Sequence, residues 1–290
     1  MHRPVLVAEV LDFLAGMDVR LILDATVGLG GHTRAVLDAH PEARVIGTDR
    51  DDEMVKAARE RLREYGTRVE LRHAAFAGLG AVLDELKAGA PDAILLDLGV
   101  SSPQIDTPER GFSFRHEGPL DMRMDRTVPG TAADLVNRLP ESELGNLIYE
   151  LGDERHSRRI AAAIVAERRH EPIRTTTRLA EIARRAVRGR GKIDAATRTF
   201  QALRIAVNRE IDQLRAGLDA AAERLKPGGR LLVISFHSGE DRVVKGFFRS
   251  DERLLPLTKK VVMAGAAEAR ENPRARSAKM RVAERRKSVA

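Results

Sequence analysis

The 290-residue sequence contains no cysteine and no tryptophan. The first absence excludes disulfides, thiolate nucleophiles and Cys-bound zinc or iron–sulfur sites. The second leaves only Tyr65, Tyr149 and eight phenylalanines as aromatics, which argues against a surface of platforms on which bases stack. No run approaches the roughly 18 consecutive apolar residues of a membrane span. Residues 5–17 are apolar in places, but Glu9 and Asp12 interrupt them, as the core of a signal peptide does not allow. A soluble, cytoplasmic protein with no membrane contact is expected. The rest is an ordinary globular balance, 43% hydrophobic and 32% charged, with enough length for one large domain or two modest ones.

The net charge of +7 is unevenly spread. Residues 1–102 carry 12 basic and 17 acidic side chains, whereas 103–198 carry 18 and 15 and 251–290 carry 11 and 5. The densest basic run, 158–192, has 11 cations against 3 anions, and Arg274, Arg276, Lys279 and Arg281 form another. Taken singly, such runs describe solvated faces or an arginine-rich composition. Together they favour a polyanion, because guanidinium groups grip phosphates bidentately.

The first hundred residues alternate continuous apolar runs (21–25, 44–49, 69–71, 93–98) with amphipathic helices near 33–40, 53–65 and 79–86. This pattern predicts a parallel sheet covered on both faces. Residues 103–135 read as long loops, and every periodic stretch from about 131 to 190 is helical, including helices over 153–169 and after the Thr175–Thr177 run. Phe200, Leu203, Val207, Ile211, Leu214, Leu218, Ala221 and Leu225 then step by three or four, predicting one long helix that stops at Lys226-Pro227-Gly228-Gly229. A fifth strand is expected over 231–236, and 257–263 with 279–283 is expected to form a closing antiparallel pair. The expected architecture is α/β, a doubly wound Rossmann-like sheet over 1–105 and 198–290, with an all-helical domain inserted at 106–197 to recognise substrate.

In such sheets a ligand sits at the carboxyl ends of the strands, at the switch point. Asp24, the turn Gly28-Leu29-Gly30-Gly31-His32, Asp49, Phe76 and Asp97 stand there. Asp49, 19 residues after Gly30, can accept both ribose hydroxyls of an adenosine. The dinucleotide pattern G-x-G-x-x-G needs a third glycine, and Thr33 occupies that place. Asp24 suits the cationic tail of an amino acid better than a pyrophosphate. S-adenosylmethionine is therefore favoured over NAD, with a ligand-free glycine turn as the bland alternative. Asp97, at the mouth of the loop 97–104, either orients the N–H bonds of an exocyclic amine as the catalytic acceptor or merely binds the cofactor. After the fifth strand, His237, Glu240 and Asp241 suggest a metal site less well than a helix start capped by Ser238 with Asp241; no metal is expected.

Together these stretches resemble one family, the bacterial small-subunit (16S) ribosomal RNA cytosine-N4 methyltransferases. The matching segments are HRPVLVAEVL (2–11), DATVGLGGHT (24–33), TDRD (48–51), LLDLGVSSPQIDTPERGFSF (95–114), PLDMRMD (119–125), SRRIAAAIV (157–165), TRTFQALRIAVNREI (197–211), ISFHSGEDRVVK (234–245) and NPRARSAKMR (272–281). The resemblance runs nearly end to end. It implies a class I methyltransferase that uses S-adenosylmethionine to methylate a cytosine N4 in the decoding region of 16S rRNA, with the rRNA met within the small ribosomal subunit. Carried over residue by residue, it implies cofactor contacts from Gly30, Gly31, His32, Asp49, Phe76, Asp97 and Gln104. Gly239 departs from the family's usual Leu and Asp153 from its usual Glu. The Asn/Asp-Pro-Pro-Tyr/Phe tetrad of other amino-methylating enzymes is absent, with Asp97-Leu98-Gly99-Val100 in its place. A non-catalytic RNA-binding assembly factor on the same fold remains the alternative, and the sequence is compatible with a homodimer.

Overall fold

The computed structural model describes residues 4–187 and 194–287. The chain forms two compact units, Met1–Gly99 with Ile211–Ala290, and Val100–Glu210. Along the first unit, α1 (Val7–Leu14), β1 (Leu21–Asp24), α2 (Gly31–Ala39), β2 (Arg44–Asp49), α3 (Asp52–Arg61), β3 (Val69–His73), α4 (Leu79–Glu85) and β4 (Ala93–Asp97) follow one another. The second unit holds α5 (Ser102–Asp106), α6 (Ala132–Arg138), α7 (Glu141–Gly152), α8 (Ser157–Arg168), α9 (Thr176–Ala186) and α10 (Ala195–Val207). The chain then returns to the first unit through α11 (Glu210–Arg224), β5 (Arg230–Ser235), α12 (Ser238–Ser250), β6 (Leu254–Pro256), β7 (Val262–Met263), α13 (Ala266–Glu271) and β8 (Lys279–Arg285).

The sheet runs β3-β2-β1-β4-β5-β8-β6, with β7 also on β8. The first five strands in that order are mutually parallel, and β8 joins β5 antiparallel. Alternate residues of each strand feed opposite layers. Leu23, Ile46, Ile94, Leu96 and Leu231 enter a core with Leu214, Leu218 and Leu225 of α11. Their neighbours Ile22, Val45, Leu95 and Leu232 enter a second core with Val10 and Leu14 of α1. Both faces being apolar, the strands read as continuous hydrophobic runs, as a parallel sheet requires. Strand order reverses between β1 and β4, so the carboxyl ends of these two strands flank the switch point.

The second unit packs Ile148, Ile160, Ile164, Leu179 and Leu203 into its own buried cluster. The ring of Phe200 on α10 meets Phe114 edge to face, 4.9 Å between centroids. The loops between α5 and α6 are tightly tied. Buried Arg110 donates to the carbonyls of Arg123 and Met124, both at 3.0 Å. Asn208 donates to Met122 O at 2.7 Å and accepts from Met124 N at 2.8 Å.

The structure corrects three expectations. The long helix over 200–225 is two helices, because Arg209 takes a left-handed conformation (φ 48°) and Asn208 turns its amide onto the Arg204 carbonyl. In consequence α10 packs with the helical unit, and the boundaries expected after 105 and 197 fall instead at Gly99/Val100 and Glu210/Ile211. Strand β8 makes its long pairing with β5 (Ile234 opposite Met280), and residues from 257–263 contribute only the short β7. Residues 188–193 of the expected basic run lie outside the described residues.

Backbone packing in the 108–124 segment leaves no room for side chains at its glycines. A Cβ on Gly118 would lie 1.9 Å from the Pro108 carbonyl oxygen. Gly118→Ala is expected to destabilise the helical unit by about 3 kcal/mol or more, measured as a shift in urea midpoint or as hydrogen exchange confined to that unit. Wild-type stability in this variant would refute the packing account.

Candidate cofactor and active site

The site grows from the ends of β1, β2 and β4. After β1 the chain enters the glycine turn, where Gly28 (φ 50°) and Gly30 (φ 78°) are left-handed, a conformation glycine adopts without the clash that other residues meet. The two positions differ in what surrounds them. A Cβ at Gly30 would fall 2.8 Å from Leu62, and at Gly31 2.9 Å from Pro4, while at Gly28 nothing stands closer than the Thr26 carbonyl at 3.8 Å. Gly30 and Gly31 are thus demanded by the protein's own packing, and Gly28 borders open space.

Asp49, at the end of β2, fixes the turn. Its Oδ2 accepts from Gly28 N and its Oδ1 from Asp51 N, both at 2.9 Å. Desolvation lifts its carboxyl to about 6, opposed by those two hydrogen bonds. Asp24 is 2% exposed. It accepts from the Thr33 hydroxyl at 2.7 Å and from Thr26 N at 3.2 Å, and burial pushes its carboxyl upward. The acid expected to face a cationic tail is instead an internal brace.

Asp97 closes β4. Its backbone N–H donates to Thr26 Oγ1 at 2.6 Å, tying the β4 end to the β1 turn. Its Oδ2 lies 3.6 Å from His32 Nδ1. Because His32 Nε2 sits 2.8 Å from the Val5 carbonyl, which only accepts, that nitrogen carries a proton and Nδ1 is the atom turned to Asp97. Asp97 Oδ1 is buried and has no hydrogen-bond partner among the described residues. Desolvation raises the Asp97 carboxyl to about 6; His32 opposes the rise, and Asp24 and Glu240 add to it.

Phe76, in a short helical turn after β3, is half-buried against Gly217 of α11, where an added Cβ would meet its ring at 2.6 Å. Gln104 belongs to the helical unit, and its Oε1 accepts from Ser101 N at 2.8 Å in the capping box of α5. Thus His32, Asp49 and Asp97 come together at the switch-point edge with the turn backbone. The side chains that brace them, Thr26 and Thr33, and the Val5 carbonyl carried no signal beyond their place beside the glycine turn. Beyond β5, the cap of α12 is His237 in a capping box with Glu240, one residue before the expected Ser238. Asp241 is engaged by Arg281, at 2.7 and 3.1 Å.

The family model of the MraW methylase family matches residues 1–286. The chain belongs to the MraW methylase family. A relative from Geobacter sulfurreducens is 49% identical over 306 residues, covering 98% of each chain, and one from Bradyrhizobium diazoefficiens is 47% identical over 302 residues, covering 98% of this chain and 91% of its own. Both are named ribosomal RNA small subunit methyltransferase H. Family membership sets aside the NAD alternative, in agreement with the failed third glycine.

The buried partnerless oxygen of Asp97 and the open face of Gly28 fit a polar ligand laid along the turn. Two outcomes follow. Gly28→Ala is expected to fold, at a cost of about 1–2 kcal/mol for its left-handed backbone, yet to lose most S-adenosylmethionine affinity by calorimetry; undiminished binding would exclude the turn from the site. An aspartate raised to about 6 in the fold favours folding while protonated, and loses that contribution as pH rises from 4 through 6. Asp97→Asn is therefore expected to match the wild type near pH 4 and exceed it by about 3 kcal/mol above pH 7 in urea unfolding. A difference independent of pH would show that the carboxyl is not held in its raised state.

Proposed function

We propose that the chain transfers the methyl group of S-adenosylmethionine to N4 of a cytosine in the decoding region of 16S rRNA, acting in the cytoplasm on the rRNA as assembled in the small subunit. The observation that carries the chemistry is the Asp97 carboxylate, held at a strand end with one buried oxygen unengaged. The curated relatives' name supports the substrate. The backbone of the glycine turn, His32, Asp49, Phe76 and Asp97 would hold the cofactor, which when bound supplies an electrophilic methyl group.

What the chain's own residues contribute is positioning and a proton acceptor. The lone pair of an exocyclic amine is delocalised into the base, so the amine must be oriented by an acceptor that does not move. Asp97 meets that condition through the Thr26 clamp on its backbone. As nitrogen gains the methyl carbon it must lose a proton, and a carboxylate raised to about 6 is a better acceptor than an ordinary aspartate while still ionised at neutral pH. A base inside a helix would have to leave its stack to reach this edge.

Labelled methyl transfer to unmodified small subunits and to naked 16S rRNA, followed by nucleoside digestion, tests the proposal. Label in N4-methylcytidine is expected, with subunits the better acceptor. Asp97→Ala is expected to abolish transfer in a protein that still folds, and wild-type activity is expected to fall as pH is lowered through about 6. Full activity of that variant would reject the assigned acceptor. Cofactor binding without transfer to either RNA would favour the non-catalytic alternative.

A further inference from the structure

The exposed basic side chains of the helical unit fall into two classes. Those on α9 are mostly neutralised by carboxylates. Arg178 and Arg185 share Glu167, each at 2.5 Å, and Arg184 pairs with Asp194 at 2.8 Å. Their fields are cancelled locally, and a phosphate would have to displace an existing partner. Arg115, His116 and Arg174 are exposed and have no carboxylate partner among the described residues.

These three are brought together by backbone. Pro119 and Thr175 form an antiparallel bridge. Leu120 N donates to the Arg174 carbonyl at 2.9 Å. The buried Thr176 hydroxyl accepts from Gly118 N at 3.1 Å and lies 3.2 Å from the His116 carbonyl, to which it donates. Segments 115–120 and 174–177 are therefore one stiff plate. The carboxylate nearest in sequence, Glu117, accepts from the Thr177 hydroxyl at 2.8 Å. The turn leading to Arg174 carries exposed Arg169 and His170 together with one exposed carboxylate, Glu171.

We propose that Arg115, His116 and Arg174 form a docking surface for the phosphodiester backbone of RNA. This rests on the reading of the substrate as RNA. Unpaired guanidinium groups on a rigid base favour it, since they bind phosphate without first breaking an ion pair and the backbone that carries them is already ordered. Neither segment carries a Phe, Tyr or Trp, and the cations address phosphate, so the surface contributes affinity and register rather than sequence choice.

The test is equilibrium binding of the full-length chain to a fluorescent 16S rRNA fragment and to oligouridine, between about 50 and 300 mM salt. Arg115→Ala/Arg174→Ala is expected to weaken both RNAs alike. It should lower the slope of log affinity against log salt by roughly 1.5, about 0.7 to 0.9 for each phosphate that is no longer neutralised. S-adenosylmethionine affinity, thermal midpoint and kcat should stay as in the wild type while KM for RNA rises. Arg115→Lys/Arg174→Lys should retain most of the slope, and the paired control Arg178→Ala/Arg185→Ala should change it little. An unaltered slope in the first variant, or an equal fall in the control, would overturn the proposal. Because the readout is binding, a wild type that binds RNA as described but methylates none would refute the proposed reaction and leave the docking surface standing.

Discussion

Three carboxylates, Asp24, Asp49 and Asp97, stand at the carboxyl ends of adjacent strands, and holding them there is the constraint to which the first unit is built. A carboxylate removed from water is costly unless donors replace its hydration. Here the donors are the Gly28 and Asp51 amides for Asp49, and the Thr33 hydroxyl with the Thr26 amide for Asp24. Asp97 is the exception, with His32 beside one oxygen and nothing on the other among the described residues. Among the three carboxylates the unmet demand falls on a single atom, and that atom is where chemistry is expected.

The bracing continues outward. Val5 orients His32, Pro4 leaves room only for glycine at position 31, and Leu6, itself left-handed at φ 56°, donates its N–H to Glu268 of α13 at 2.8 Å. Segments from both ends of the described chain thus support one turn. In the helical unit the comparable anchors are Arg110 and Asn208, which hold loops through main-chain carbonyls. Both units use buried polar side chains to make irregular backbone rigid.

Much of the sheet was legible because burial on two faces leaves unbroken apolar runs, as in residues 93–96. The break after α10 was not, since apolar residues keep a three-to-four spacing across Asn208 and Arg209 while the backbone turns between them. The partner of β8 was hidden for a different reason: pairing between strands so distant in the chain leaves no local trace. The strand-end positions of the candidate site residues were legible, but the orientation of their side chains was not. Asp24 and Asp97 look alike in sequence, yet one is fully engaged and the other is not. The basic run misled in the same way, for a count of cations does not say which of them already hold a carboxylate.

The connectivity of the sheet has a consequence for how the molecule is made. Strand β4 pairs with β5, and β5 with β8, the last strand among the described residues. Between β4 and β5 lies the entire helical unit. As the chain leaves the ribosome, that unit is complete while β4 still presents an open edge of unpaired amides and carbonyls, the kind of surface that recruits strands from other chains. The strand that ends in Asp97 therefore acquires its second neighbour late, and every chain that stops before residue 230 lacks the strand that covers this edge.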